Sequence, residues 1–155
     1  MRSFQFRPWS NAALIGLCTL LGACASNPPA PTQTQQMAAI APWAGKGQLL
    51  MIEVPAASNA ISNQMVVASL KLSGSSSAAD QIVQVLRSGS AATVAVTGSN
   101  LEVNAATVQA ALRGLSNPPV KTKTTLLMVG RPTDSAELEK AASAVGVRLE
   151  FANLP

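Results

Sequence analysis

Few side chains in this sequence are equipped for acid–base or nucleophilic work. There are seven carboxylates, Glu53, Asp80, Glu102, Asp134, Glu137, Glu139 and Glu150, and two cysteines, Cys18 and Cys24. Serines are numerous, but histidine and tyrosine are absent. A Ser-His-Asp or Cys-His arrangement therefore cannot come from this chain alone. Zinc sites built from His and Cys are excluded for the same reason. Two catalytic routes remain: a pair of carboxylates facing each other across a cleft, as in glycoside hydrolysis, and a Ser-Lys pair. Spacing favours neither. Glu137 and Glu139 fall on the outer side of an apparent helix, while Asp80 and Asp134 sit in first turns, where the helix dipole favours a carboxylate. Trp43 and Phe151 are the only aromatics beyond residue 24, so a sugar would find little to stack on. No G-x-S-x-G, phosphate loop or G-x-G-x-x-G occurs. The expectation is a protein that is not an enzyme, with no metal or cofactor.

One other pattern could hold a ligand. Glycine turns lead into helix starts at Gly74-Ser75-Ser76-Ser77, Gly98-Ser99-Asn100 and Gly130-Arg131-Pro132-Thr133. In open parallel sheets, ligands bind outside the carboxyl ends of the strands, where such turns lie. Unpaired helix N–H groups, small hydroxyls and Arg131 together suit an anion or a peptide carboxylate. Gly74, Ser75, Ser76, Gly98, Asn100, Gly130, Arg131 and Thr133 are the candidate residues. The plainer reading is that they are turn and cap residues, which any such fold requires.

The N-terminus carries a more specific pattern. Arg2 and Arg7 are the only charges before position 46, and an apolar run follows from Ala12 to Leu21, broken by Gly16 and Thr19. A basic flank, a short apolar core and small residues at the exit make a secretory signal. A core of about ten residues is too short for the roughly 20 needed to span a bilayer. Leu21-Gly22-Ala23-Cys24 resembles the lipobox of bacterial lipoprotein precursors, a branched apolar residue, two small residues and cysteine. The resemblance covers residues 1–24 only. It implies cleavage before Cys24, a thioether-linked diacylglycerol on its sulfur, and anchoring to a membrane by several acyl chains. Each buried methylene contributes about 0.8 kcal/mol to such anchoring. Ala25 and Ser26 follow, not aspartate; in enteric-type lipoproteins this goes with transfer to the outer membrane.

Two of the 11 basic residues lie in the signal, so nine remain against seven carboxylates, a net charge of about +2. That gives no case for nucleic acid. With Cys18 discarded and Cys24 acylated, no thiol is left for a disulfide, and the domain depends on its core alone.

Three segments follow: a signal peptide, 1–23; the lipidated cysteine and a disordered tether, 24–44; and one small domain, 45–155. The tether reading rests on proline, glutamine and threonine with hardly a large apolar residue. In polyproline-like geometry it would reach roughly 50 Å. Within the domain, Gln48 to Val54 reads as a buried strand between Gly47 and Pro55. Residues 66–72 alternate from Ala68 onward, which favours a strand narrowly over a helix on the stripe Ile61, Met65, Ala68 and Leu72 behind a Ser58 cap. A helix capped by Ser77 carries Ala79, Ile82, Val83 and Leu86 on one face, and the strand Thr93 to Thr97 follows. Asn104 reads as the cap of a second helix with Val108, Ala111, Leu112 and Leu115 as its stripe. The strand Thr124 to Val129 comes next. Asp134 and Glu137 have capping-box spacing for a third helix bearing Leu138, Ala141, Ala142 and Val145. Val147 to Phe151 is the last strand.

Strands alternating with helices imply an α/β domain with right-handed crossovers, a mostly parallel sheet of about four or five strands and about three helices. The functional expectation is a non-catalytic envelope lipoprotein, an accessory or assembly subunit that pairs with another envelope protein. Exposure at the cell surface as an antigen is compatible with it. The alternatives are a small-ligand or anion-binding module using the glycine turns and, less favoured, a hydrolase with carboxylate or Ser-Lys chemistry.

Overall fold

A computed structural model of the chain describes residues 29–116, 120 and 122–155. The lipobox residues Leu21, Gly22, Ala23 and Cys24 lie outside the described residues. The elements in chain order are α1 (Gln33–Ala44), β1 (Gln48–Glu53), α2 (Ala60–Ser73), α3 (Ser77–Ser88), β2 (Ala92–Thr97), α4 (Leu101–Gly114), β3 (Thr125–Val129), α5 (Ser135–Ala144) and β4 (Arg148–Ala152). The four strands form one parallel sheet in the order β1-β2-β3-β4. The domain is α/β, as the alternation of elements implies, with five helices among the described residues where about three were expected.

Each strand joins the sheet beside its predecessor and always on the same side. Because parallel crossovers are right-handed, such a progression carries every crossover helix to one face. That face holds the main core. Leu50, Val94, Leu126 and Leu149 are in register across the four strands, as are Ile52, Val96, Met128 and Phe151. Both rows pack against Leu70 of α2, Ile82 and Leu86 of α3, Val103, Val108 and Leu112 of α4, and Leu138 of α5. The apolar stripes of α3, α4 and α5 are thus the ones their periodicity indicates. Alanines at 78, 79, 106, 110, 111 and 142 are buried among them and let the helices lie close.

The opposite face is covered by α1, and here the expectation of an unstructured tether to residue 44 is corrected. Residues 33–44 are helical. Thr32 Oγ1 accepts from the Gln35 N–H at 3.3 Å, and Gln35 Oε1 accepts from the Thr32 N–H at 2.9 Å, a complete capping box. Ala39 and Ile40 are buried on Ala95 and Leu127, with Trp43 and Leu49 packed beside them. Trp43 Nε1 donates to Glu150 Oε2 at 3.2 Å, pinning the end of the helix to β4. Composition alone could not offset the ordering entropy of this segment; docking on a preformed sheet does, with about 2 kcal/mol from Ile40 alone.

Other boundaries also differ. Residues 66–72 are not a strand but the second half of α2, capped by Asn59 Oδ1 on the Ser62 N–H at 2.8 Å, one residue beyond the expected Ser58. The backbone closes at Gly74, φ +67°, in the left-handed conformation that glycine adopts without steric penalty. Ser76, not Ser77, caps α3 through the Ala79 N–H. Asn100, not Asn104, caps α4 through the Val103 N–H at 3.0 Å, which sets Asn104 inside the helix and fully buried. Asp134 occupies the cap position of α5 but makes no side-chain cap bond. β1 is an edge strand and only partly buried, with Met51 45% exposed. Among the described residues, no helix is long and apolar enough to cross a membrane.

Candidate functional site

The four strands end together at the carboxyl edge of the sheet. The β1–β2 pairing runs on through a Val54 N–H to Thr97 carbonyl bond of 2.8 Å, and Gly130 continues β3 with an N–H to the Ala152 carbonyl at 2.8 Å. Between them stands Gly98. Its N–H donates to Gln36 Oε1 of α1 at 3.0 Å, and its carbonyl accepts from Asn104 Nδ2 of α4 at 3.3 Å. A Cβ at this position would collide with the Asn104 carboxamide and lie 2.7 Å from the Val54 carbonyl, so only glycine fits. Gln36 Nε2 also donates to the Pro31 carbonyl at 3.1 Å, tying the segment before α1 to the same edge. Asn104 Oδ1 has no hydrogen-bond partner among the described residues.

Beyond this edge opens a groove of about 930 Å³. Pro29 to Pro31 and Ser99 to Leu101 border it, as do Arg131 to Asp134. One wall is α2, with Ala60, Asn63, Gln64, Val67 and Lys71; another is α5, with Glu137 and Leu138. α4 also lines it, through Glu102, Ala105, Ala106 and Gln109. The lining therefore mixes apolar side chains with carboxamides and hydroxyls. Its charged members are Lys71 and Arg131 against Glu102, Asp134 and Glu137, a formal excess of one negative charge.

Two of the three glycine turns meet at this groove. Asn100, Arg131 and Thr133 line it, and Gly98 and Gly130 turn the chain just behind them. Gly74, Ser75 and Ser76 do not. Because residues 66–72 are helical, that turn joins α2 to α3 and follows no strand; Ser76 caps α3, and Ser75 Oγ donates to the Asp80 carboxylate at 3.3 Å. Asn100 is engaged as a cap. The Arg131 guanidinium lies 4.4 Å from the centroid of the Phe151 ring and 3.1 Å from Glu139 Oε1, drawn toward α5 and β4.

The α2 wall, Gln109 and the N-terminal border are absent from the turn-based reading. The helical stripe from Ile61 to Leu72 was the one available signal for the α2 wall. Of the seven carboxylates, Glu102, Asp134 and Glu137 line the groove, whereas Glu53, Asp80, Glu139 and Glu150 do not. Comparison with protein-family models, with curated proteins and with solved structures finds no match to this chain, so the groove is read from its own geometry.

Proposed function

We propose that this chain is a lipid-anchored, non-catalytic envelope protein whose groove receives an extended, neutral or basic segment of another envelope protein. The membrane address rests on the lipobox resemblance at Leu21 to Cys24. The binding role rests on one observation: an open groove with apolar stretches and a carboxamide- and hydroxyl-bearing lining at the carboxyl edge of a parallel sheet. Carboxamides both donate and accept, so Gln64 and Gln109 match a peptide backbone, which presents one donor and one acceptor per residue. The groove borders Pro29 to Pro31, a few residues from Cys24, so a bound segment would lie near the membrane carrying the anchor.

The charge balance works against the anion-binding alternative. Glu102 and Glu137 stand in the first turns of α4 and α5, where an anion would otherwise gain from the helix dipoles. Hydrolysis by a carboxylate pair is the competing reading, because Glu102, Asp134 and Glu137 share the groove.

The test is site-specific photocrosslinking from position 109 in living cells, followed by mass spectrometry, with Cys24→Ala as the control for anchoring. One dominant envelope protein, captured from position 109 and lost in Cys24→Ala, is the expected result. Substrate turnover by the purified protein that disappears in Glu137→Gln would replace the binding reading with the hydrolytic one.

A further inference from the structure

Among the described residues, the three large apolar side chains most exposed to solvent belong to one helix. Ile61, Met65 and Leu72 of α2 are 74%, 70% and 89% exposed, and Ala68 between them is exposed as well. At 100° per residue, Ile61 is half a turn round the helix from buried Leu70, and the whole stripe points away from the core. The groove-lining residues Gln64, Val67 and Lys71 occupy a flank between the two. This apolar face is therefore neither core nor groove.

The spacing of the four positions is four, three, four. That is the narrow 3.5-residue seam by which helices pack on helices, not the broader stripe that packs on a sheet. The stripe is also its own complement. Turned end for end about its midpoint, Ile61 meets Leu72 of a second copy and Met65 meets Ala68, so each large methionine faces a small alanine. A two-fold axis requires such self-matching, and interdigitation of large with small fills the space between two helices.

Charge selects the same arrangement. Lys71 is the one ionisable side chain of α2. Parallel pairing would place two Lys71 side chains together. Antiparallel pairing separates them by roughly 13 Å along the axis, given a rise of about 1.5 Å per residue, which exceeds the screening length of about 8 Å at physiological salt. Three large side chains and one alanine per copy bury less than about 1,000 Å² in total, below the roughly 1,200–2,000 Å² of stable specific interfaces, so the pairing is weak and reversible.

We infer that α2 is a homodimerisation helix, in which two copies pair antiparallel through Ile61, Met65, Ala68 and Leu72. The inference does not depend on what occupies the groove.

Variants of the full chain with one cysteine added beyond residue 24, oxidised mildly in membranes from expressing cells beside the parent chain, test it. Ala68→Cys stands next to its counterpart across the axis and should form a disulfide-linked dimer at several times the yield of Ser143→Cys, an exposed control on α5. Ile61→Cys should not link to itself but should link when co-expressed with Leu72→Cys. Met65→Glu added to Ala68→Cys should reduce the dimer to the control level. Equal yields from Ala68→Cys and Ser143→Cys would overturn the pairing, as would Ile61→Cys linking to itself as readily as Ala68→Cys. An adduct at another mass would assign the stripe to a different protein. Loss of the Met65→Glu chain from the membrane fraction, with no Ala68→Cys dimer in the parent, would assign it to the bilayer surface.

Discussion

Gln36 and Asn104 hold the same residue from opposite faces of the sheet: Gln36 accepts the Gly98 N–H at 3.0 Å, and Asn104 donates to the Gly98 carbonyl at 3.3 Å. The strand has ended there, so these two backbone groups have no ladder partner. Two helices that never touch each other's core supply the missing bonds. Truncating either side chain leaves a buried backbone group unsatisfied, at a cost of about 1–3 kcal/mol. Gln36→Ala and Asn104→Ala should each lower the urea midpoint accordingly. Gly98→Ala should cost at least as much, because the added methyl meets the Asn104 carboxamide and the Val54 carbonyl.

Docking of α1 on the sheet makes a separate prediction. Ile40→Ala should destabilise the protein by about 2–4 kcal/mol, the range for a buried isoleucine whose site collapses only partly. Chemical denaturation measures this directly. A change below about 0.5 kcal/mol would return residues 33–44 to the status of an unstructured tether.

Arg113 closes the far end of α2. Its guanidinium donates to the Leu70 carbonyl at 2.7 Å, which also accepts the Gly74 N–H at 2.9 Å, and to the Lys71 carbonyl at 2.9 Å, in the last turn where helix carbonyls run out of following N–H groups. Arg113→Met should cost about 0.5–1.5 kcal/mol and raise amide exchange in the last two turns of α2 more than elsewhere. Lysine should restore little of this, since a single ammonium lacks the planar fork that reaches both carbonyls.

Arg131 should behave differently. Its pair with Glu139 is about half exposed on both sides, and exposed pairs contribute about 0–1 kcal/mol. Arg131→Ala should move the thermal midpoint by only a few degrees. If a peptide occupies the groove, the same substitution should change capture from position 109 much more than it changes stability.

The apolar periods of α3, α4 and α5 were legible because their stripes face the sheet: Ile82 and Leu86, Val108 and Leu112, Leu138 and Ala142 are all buried. α2 misled because its strongest stripe faces solvent, while the residues that anchor it are Leu70 and a polar one, Asn63, which exchanges hydrogen bonds with the Ala57 backbone. Periodicity reports a face, not the direction it points. α1 was missed for another reason. Its stability comes from a surface on β2 and β3 that lies more than 50 residues along the chain, beyond what local composition can show. The site divided in the same way. Asn100, Arg131 and Thr133 follow from turn chemistry after strands, whereas the α2 wall required the correct assignment of 60–73.

The helical state of residues 33–44 shortens the leash. Only eight residues, 25–32, separate Cys24 from the first turn of α1, and at most about 3.6 Å per residue they span less than roughly 30 Å. If Cys24 is acylated as proposed, the four-stranded sheet, roughly 15–20 Å across at about 4.8 Å per strand, cannot travel far from the lipid surface. On that reading its encounters are confined to a thin layer over one membrane, where two anchored copies or an anchored copy and a membrane-bound partner would meet at high local concentration. Weak contacts suffice there.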